Sequence, residues 1–237
     1  NMEGFVALLK SILGDRFAGL LHTINDSIGD RIQASDGNCT LIYGDDKIVE
    51  NLLGLNFEIS MQSFFQTNPK CAEKLYTKVI EYVKATEQKQ EVILDLFCGT
   101  GTIGQLIASQ IPNAEVIGVD IVSEAIADAK KNAKRNQVEG LQFFAADVGK
   151  FLQEYPQYNG TISTVVLDPP RAGIAPKTLK KVVQLNSRRI VYVSCNPATQ
   201  ARDTEYLISY GYELKKVSFV DQFPHTSHVE SIVLFEK

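Results

Sequence analysis

From residue 91 onward, short apolar runs alternate with stretches of helical spacing, and few folds accommodate that order. VILDLF (92–97) leads into helical spacing across GTGTIGQLIASQI, and EVIGVD (115–120) into SEAIADAKKNAKRN (123–136), where Ser123 has the chemistry of an N-cap. LQFFAAD, TVVLD and RIVYVS continue as strands, separated by helical stretches near 149–155, 176–185 and 198–210. Repeats of this kind form right-handed crossovers, so a doubly wound, mostly parallel α/β sheet is predicted. Two final strands, near 212–220 and 229–236, have no helix between them and suit an antiparallel pair at one edge of the sheet. A helix over 69–85 precedes the first strand.

Residues 1–60 read differently. A short helix (2–12) is followed by alternating segments, GLLHTI, CTLIYG and NFEISM, broken by NDSIGD and ASDGN. They predict a small antiparallel β unit, a fragment of a central subdomain with too few apolar residues for a core of its own. The expected division is 1–60 for that fragment and 61–237 for the α/β domain, within a longer protein. Composition is that of a globular chain, 44% apolar and 22% charged over 237 residues, enough to bury a core without staples. Cys39, Cys71, Cys98 and Cys195 form no C-x-x-C pair and no zinc spacing, so reduced, separate thiols and no metal site are expected. No apolar run approaches the ~20 residues of a membrane span, and no signal-like start is present; a soluble, cytoplasmic monomer with no membrane partner is expected. The net charge of −4 gives no bulk attraction for nucleic acid, which a local patch or a further domain would have to supply.

The first strand runs into Asp95-Leu-Phe97-Cys-Gly99-Thr-Gly101-Thr102-Ile-Gly104, a G-x-G-x-x-G between strand and helix, and Asp120 ends the next strand. Glycines let a backbone approach a ligand, and an acid after the second strand takes ribose hydroxyls. Nicotinamide dinucleotide oxidoreductases and S-adenosylmethionine methyltransferases share this arrangement. Asp95 separates them: a carboxylate before the glycines repels a pyrophosphate and suits the ammonium of S-adenosylmethionine. Asp147, after the third strand, suits an adenine amino group. Each acid has a plainer reading as a strand-end cap.

Asp168-Pro169-Pro170-Arg171 ends the fourth strand, without the aromatic of amine methylation or the cysteine of cytosine-5 methylation after the prolines. The fifth strand, VYVS, opens into Cys195-Asn196-Pro197. Carbon 5 of a pyrimidine is a poor nucleophile until a thiolate adds at C6, and a base must then remove the C5 proton. That chemistry needs a cysteine and an acid or histidine converging. The tail DQFPHTSHVESIVLFEK offers Asp221, His225, His228 and Glu230, and Glu230 opens the last strand. Alone, Cys195 reads equally as a small buried residue and Glu230 as a solvated edge acid.

FFQTN (64–68), LDLFCGTGTIG (94–104), GVD (118–120), LDPPRAG (167–173), SCNPATQARD (194–203) and DQFPHTSHVE (221–230) together resemble the RNA uracil-5 methyltransferases, which make 5-methyluridine in ribosomal and transfer RNA. The resemblance covers residues 55–237 and implies a catalytic methyltransferase domain over 61–237. It implies Cys195 as the nucleophile and Glu230 as the proton acceptor. Gln66, Phe97, Gly99, Thr102, Asp120, Asp147 and Asp168 would then line the S-adenosylmethionine site or its junction with uracil. Phe64 would pack on a flipped nucleotide, and Arg171 and Arg202 would contact phosphate or serve structure. Many members carry an N-terminal β-barrel RNA-binding domain and an iron–sulfur cluster. Neither is expected within this chain. The SCNPATQARD form is closer to large-subunit ribosomal RNA members than to transfer-RNA members, which makes 23S ribosomal RNA the expected partner and transfer RNA the alternative. A dinucleotide oxidoreductase or a non-catalytic RNA-binding module would have no use for both Cys195 and Glu230.

Overall fold

The computed structural model describes residues 1–24, 39–61, 63–84 and 91–237. In chain order the elements are α1 (Met2–Leu13), β1 (Gly19–Thr23), β2 (Cys39–Gly44), β3 (Lys47–Leu52), β4 (Leu55–Ser60), α2 (Pro69–Val83), β5 (Glu91–Leu96), α3 (Thr102–Gln110), β6 (Ala114–Asp120), α4 (Ser123–Arg135), β7 (Leu141–Ala145), α5 (Val148–Glu154), β8 (Thr164–Leu167), α6 (Pro176–Gln184), β9 (Arg189–Ser194), α7 (Pro197–Ser209), β10 (Glu213–Val220) and β11 (Glu230–Glu236). Seven strands make one sheet in the order β10-β11-β9-β8-β5-β6-β7. β7, β6, β5, β8 and β9 are mutually parallel, and β11 inserts antiparallel to both β9 and the edge strand β10. Among the described residues no helix is long and apolar enough to cross a membrane.

Strand side chains alternate between faces, and both faces of this sheet are covered. Leu94, Leu96, Val165, Leu167, Ile190, Tyr192, Val233 and Phe235 share one core with α5, α6 and Leu207 of α7. Ile93, Val166, Val191, Val193, Ile232 and Leu234 share the other with α2 and α3. Each such side chain contributes about 1.5–3 kcal/mol on burial, so both faces are held strongly and strand register is fixed.

The first 60 residues divide in two. α1, β1 and β2 contain no fully buried residue. KIVENL, which carries no clear alternation and was not expected as a strand, is β3, and it pairs with β4 in a hairpin separate from the β1–β2 pair. Leu52 and Phe57 of this hairpin are fully buried in the α2–α3 core. Two asparagines one helical turn apart, Asn132 in α4 and Asn136 capping its C-terminus, bracket β4: Asn132 exchanges hydrogen bonds with the Glu58 backbone at 2.8 and 3.1 Å, and Asn136 with that of Asn56 at 2.8 and 3.0 Å. A dividing line at residue 60 passes through this shared core, whereas one between β2 and β3 follows the contacts. The turns expected at 25–30 and 34–38 lie outside the described residues. Ser123 is the first residue of α4 rather than its cap: Val122 precedes it, with its amide held by Asp120 Oδ1 at 2.9 Å, and the Ser123 hydroxyl turns to Glu124.

Candidate active site

Alternation within the strands decides where the reactive groups point. Ile93, Val166, Val193 and Ile232 face α2 and α3; two residues further toward the open end in each case stand Asp95, Asp168, Cys195 and Glu230. Four chemically active side chains from four adjacent strands thus fall on one face at the carboxyl ends of the parallel strands, the edge at which open α/β sheets bind ligands. The antiparallel register sharpens this. Ser231 lies opposite Ser194 at the end of the pairing, so Glu230 and Cys195 are the next residues outward on two adjacent chains. The Ser231 hydroxyl locks that register, donating to Ser194 O at 3.1 Å and meeting Gln200 Oε1 at 2.6 Å. β10 and β11, neighbours without a helix between them, therefore return Glu230 beside the strand that ends in the cysteine.

The charges confirm that the groups are within electrostatic reach of one another. Burial pushes the Cys195 thiol up, the negative charges of Glu230 and Asp168 push it further, and Arg171 acts in the opposite direction. Glu230 is 5% exposed, and burial alone raises its carboxyl. Asp168 is pushed up to about 8, by burial first and then by Glu230 and Asp95. Asp95, fully buried, is pushed up to about 7 by burial, against a hydrogen bond from the Gly104 amide at 3.0 Å. Tyr76 of α2 belongs to the same cluster: burial opposes ionisation of its phenol, as do Asp168, Glu230 and Asp95. No local signal marks it, because a tyrosine at core spacing on an amphipathic helix reads as packing.

The glycine turn is built tightly. Phe97 sits at φ +64, a strained conformation for a non-glycine residue, and its amide and that of Cys98 both bond Val119 O. Gly101 has φ +69, and a Cβ there would meet the Phe143 ring at 2.6 Å. At Gly104 a Cβ would press on Asp95 Oδ2 at 3.0 Å, so the helix approaches the acid only because that residue is glycine. Gly99 faces open space, and its amide donates to Asp120 Oδ2 at 2.9 Å. Asp120 thus spends one lone pair of each oxygen on backbone amides. Asp147 is exposed and caps α5 through Lys150 N at 2.9 Å. Thr102 is buried, its hydroxyl 3.2 Å from that of Thr100. Gln66 is 8% exposed, and its Oε1, like Asp95 Oδ1, is a buried acceptor without a partner. Two orphaned acceptors and an uncovered glycine turn suit a ligand that brings N–H donors and positive charge, as S-adenosylmethionine does.

A family model described as tRNA (Uracil-5-)-methyltransferase matches residues 41–237. The chain belongs to this uracil-5 methyltransferase family. It is 44% identical over 234 residues to an uncharacterized RNA methyltransferase of Clostridium tetani, covering 98% of this chain and 49% of that protein. With an uncharacterized RNA methyltransferase of Caldanaerobacter subterraneus it shares 46% identity over 239 residues, 100% of this chain and 51% of the relative. The chain therefore spans about half the length of the curated relatives it matches. A solved tRNA (uracil-54, C5)-methyltransferase of Pyrococcus abyssi, in complex with S-adenosyl-L-homocysteine, superposes with a TM-score of 0.72 at 34% identity, over 86% of this chain and 49% of that one. A SAM-dependent methyltransferase of Agrobacterium tumefaciens shares the fold alone, with a TM-score of 0.64 at 17% identity over 84% of this chain and 74% of that one.

Two family motifs meet behind the cluster. Asn196 Nδ2 and Thr199 Oγ1 of SCNPATQARD both donate to Arg171 O, at 3.1 and 3.3 Å. Arg202 donates to Ala172 O at 3.3 Å and to Ile174 O at 3.5 Å, and pairs with Asp203 at 2.7 Å. Asp203, 2% exposed, accepts from Ile174 N at 2.9 Å and from the Tyr192 hydroxyl at 2.8 Å. Arg202 and Asp203 thus shape the loop after Asp168. Asp203→Ala strands two buried donors and is expected to cost about 3 kcal/mol, read as a lower urea midpoint. A groove lined by Gly160–Ser163, Asn186–Arg188 and Lys237 lies at the opposite ends of the strands, away from this cluster.

Proposed function

We propose that this chain is the catalytic part of an enzyme that methylates C5 of a uridine in RNA through a covalent adduct between Cys195 and C6. The register that pairs Ser231 with Ser194, and so leaves Glu230 and Cys195 as the next residues outward at the same end of adjacent strands, is the observation that supports it. The Cys195 thiolate attacks C6, forming the S–C6 bond, and the ring electrons pass through C5 to O4, making C5 nucleophilic. S-adenosylmethionine, when bound, supplies an electrophilic methyl group. With C5 carrying both hydrogen and methyl, Glu230 takes the proton, the C5–C6 double bond re-forms and the sulfur leaves. Asp168, between Asp95 and Glu230, would line the junction of the methyl donor and the ring, facing the positive charge of the donor. Gln66, Asp95, Phe97, Gly99, Asp120 and Asp147 would hold the methyl donor, while buried Thr102 would support the turn. Exposed Phe64 is available to pack against a nucleotide taken out of its stack.

A cationic ligand binds the ionised forms of Asp95 and Asp168, and these acids are largely protonated in the free protein below about 7 and 8. Raising the pH removes that competition. Affinity for S-adenosylmethionine is therefore expected to rise between pH 6 and 8, by up to about tenfold per unit for each proton displaced. Calorimetric titration at pH 6, 7 and 8 checks this, and an affinity independent of pH would remove the acids from the site.

Large-subunit ribosomal RNA is the proposed substrate, on the form of SCNPATQARD. The resemblance to the Pyrococcus abyssi tRNA (uracil-54, C5)-methyltransferase favours transfer RNA as a second reading. Arg202 and Asp203, which distinguish the two forms of the motif, both bond the protein's own loop after Asp168, while Arg202 stays exposed. Mapping 5-methyluridine in ribosomal and transfer RNA from cells with and without the full-length protein decides between them; no lost 5-methyluridine in either would overturn both. Half of the relatives' length lies outside the match, and RNA selection is proposed to draw on it.

A further inference from the structure

The acid at the centre of the site is carried at the neck of a weakly anchored loop. Val220, the end of β10, pairs with Glu230, the start of β11, so residues 221–229 form a closed loop whose two ends meet at that acid. Inside the loop the bonds are local: Thr226 bonds Phe223 O, and His228 N donates to Thr226 Oγ1. His225 sits at φ +72, so the turn stores strain rather than rigidity. Among the described residues, the hydrogen bonds reaching from this loop to another part of the domain are one reciprocal pair. Gln222 Nε2 donates to Asn68 O at 3.2 Å, and Asn68 Nδ2 donates to Gln222 O at 3.3 Å.

Asn68 has a second task, while the Gln222 Oε1 is buried without a partner, so the pair is the hold on this side chain. Gln222 is 1% exposed, two residues beyond the neck. Asn68 caps α2, its Oδ1 accepting from Cys71 N at 3.3 Å, and it follows Gln66 by two residues and Phe64 by four. The pair thus ties the segment carrying Phe64 and Gln66 to the strand end carrying Glu230, across 154 residues of chain. A carbonyl can receive only the N–H end of an amide, so the Gln222 side chain has one workable orientation.

Proton removal demands that a base come within about 2.6–3.2 Å of its target, and misplacement by about 1 Å can cost on the order of 10²-fold. We infer that Asn68 and Gln222 are positioning residues that hold Glu230 in place for the proton-removal step. The inference rests on the reading of Glu230 as the base.

The test uses the full-length protein with uridine-containing RNA, following both 5-methyluridine and the covalent protein–RNA species on denaturing gels. Gln222→Met keeps the shape and removes both amide functions; Asn68→Ser keeps an oxygen to cap α2 and removes the longer amide N–H that reaches Gln222 O. Glu230→Gln is the reference. The expected result is a 10- to 100-fold fall in turnover, with covalent species building up in both variants as in the reference, and unchanged affinity for S-adenosylmethionine. If the reference accumulates adduct but the two variants lose turnover without it, their role is structural and the inference is overturned while Glu230 stands as the base. If the reference itself accumulates none, the assignment of Glu230 falls and the inference with it.

Discussion

Cys195→Ala is expected to lower methyl transfer by at least about 10³-fold, because losing a nucleophile removes the step on which all later ones depend. Binding of S-adenosylmethionine should persist, since Cys195 follows β9 while the glycine turn and Asp95 are built by β5 and α3. RNA bearing 5-fluorouridine should trap the unaltered protein covalently, because fluorine at C5 cannot leave as a proton, and should fail to trap the alanine variant. Transfer at a normal rate by Cys195→Ala would remove the thiol from the mechanism. The pH dependence follows from the site's charges. Burial and the neighbouring acids raise the thiol, so the thiolate fraction, and with it the rate of adduct formation, should grow as pH rises past neutrality.

Glu230→Gln is expected to separate the two halves of the reaction. The amide keeps the volume of the acid but cannot accept the C5 proton, so addition and methylation proceed and elimination stalls. Loss of a general base typically costs about 10²–10⁴-fold. Covalent adduct on ordinary uridine should therefore accumulate, visible as a protein band retarded by its RNA. Recovery of free RNA and free protein at every time point would place the base elsewhere. Since Glu230 contributes to raising both Cys195 and Asp168, removing its charge should also move the alkaline rise of the adduct-forming rate toward lower pH. An unchanged profile would mean that the register brings the groups less close than proposed.

Much of the parallel sheet was legible because the signals were local. The apolar runs at 92–97, 115–120 and 189–194 are short, and each is followed by a helix whose spacing is visible in the chain, so β5, β6 and β9 could be read directly. β3 escaped notice because KIVENL mixes charge and apolar residues; what makes it a strand is its partner β4 and the burial of Leu52, which no local pattern announces. Ser123 has the residue type of a cap, but Asp120 had already bent the chain, and Val122 took the position. Tyr76 went unseen as a member of the site, since only the packing of α2 across the strand ends brings its phenol to the acids.

Residue type and spacing by themselves determined the fold class, the glycine turn beside Asp95, and the presence of a thiol and an acid at two strand ends. Those facts follow from side-chain periodicity and from chemistry that needs particular atoms. Only the tertiary structure decided that the antiparallel return of β11 brings Glu230 to the strand end that Cys195 follows, that Arg202 and Asp203 serve the Asp168 loop, and that Asn68 clasps Gln222. Each of these joins residues distant in the chain, and such contacts are fixed by register and by the burial of both sheet faces, quantities that belong to the assembled core rather than to any one stretch of sequence.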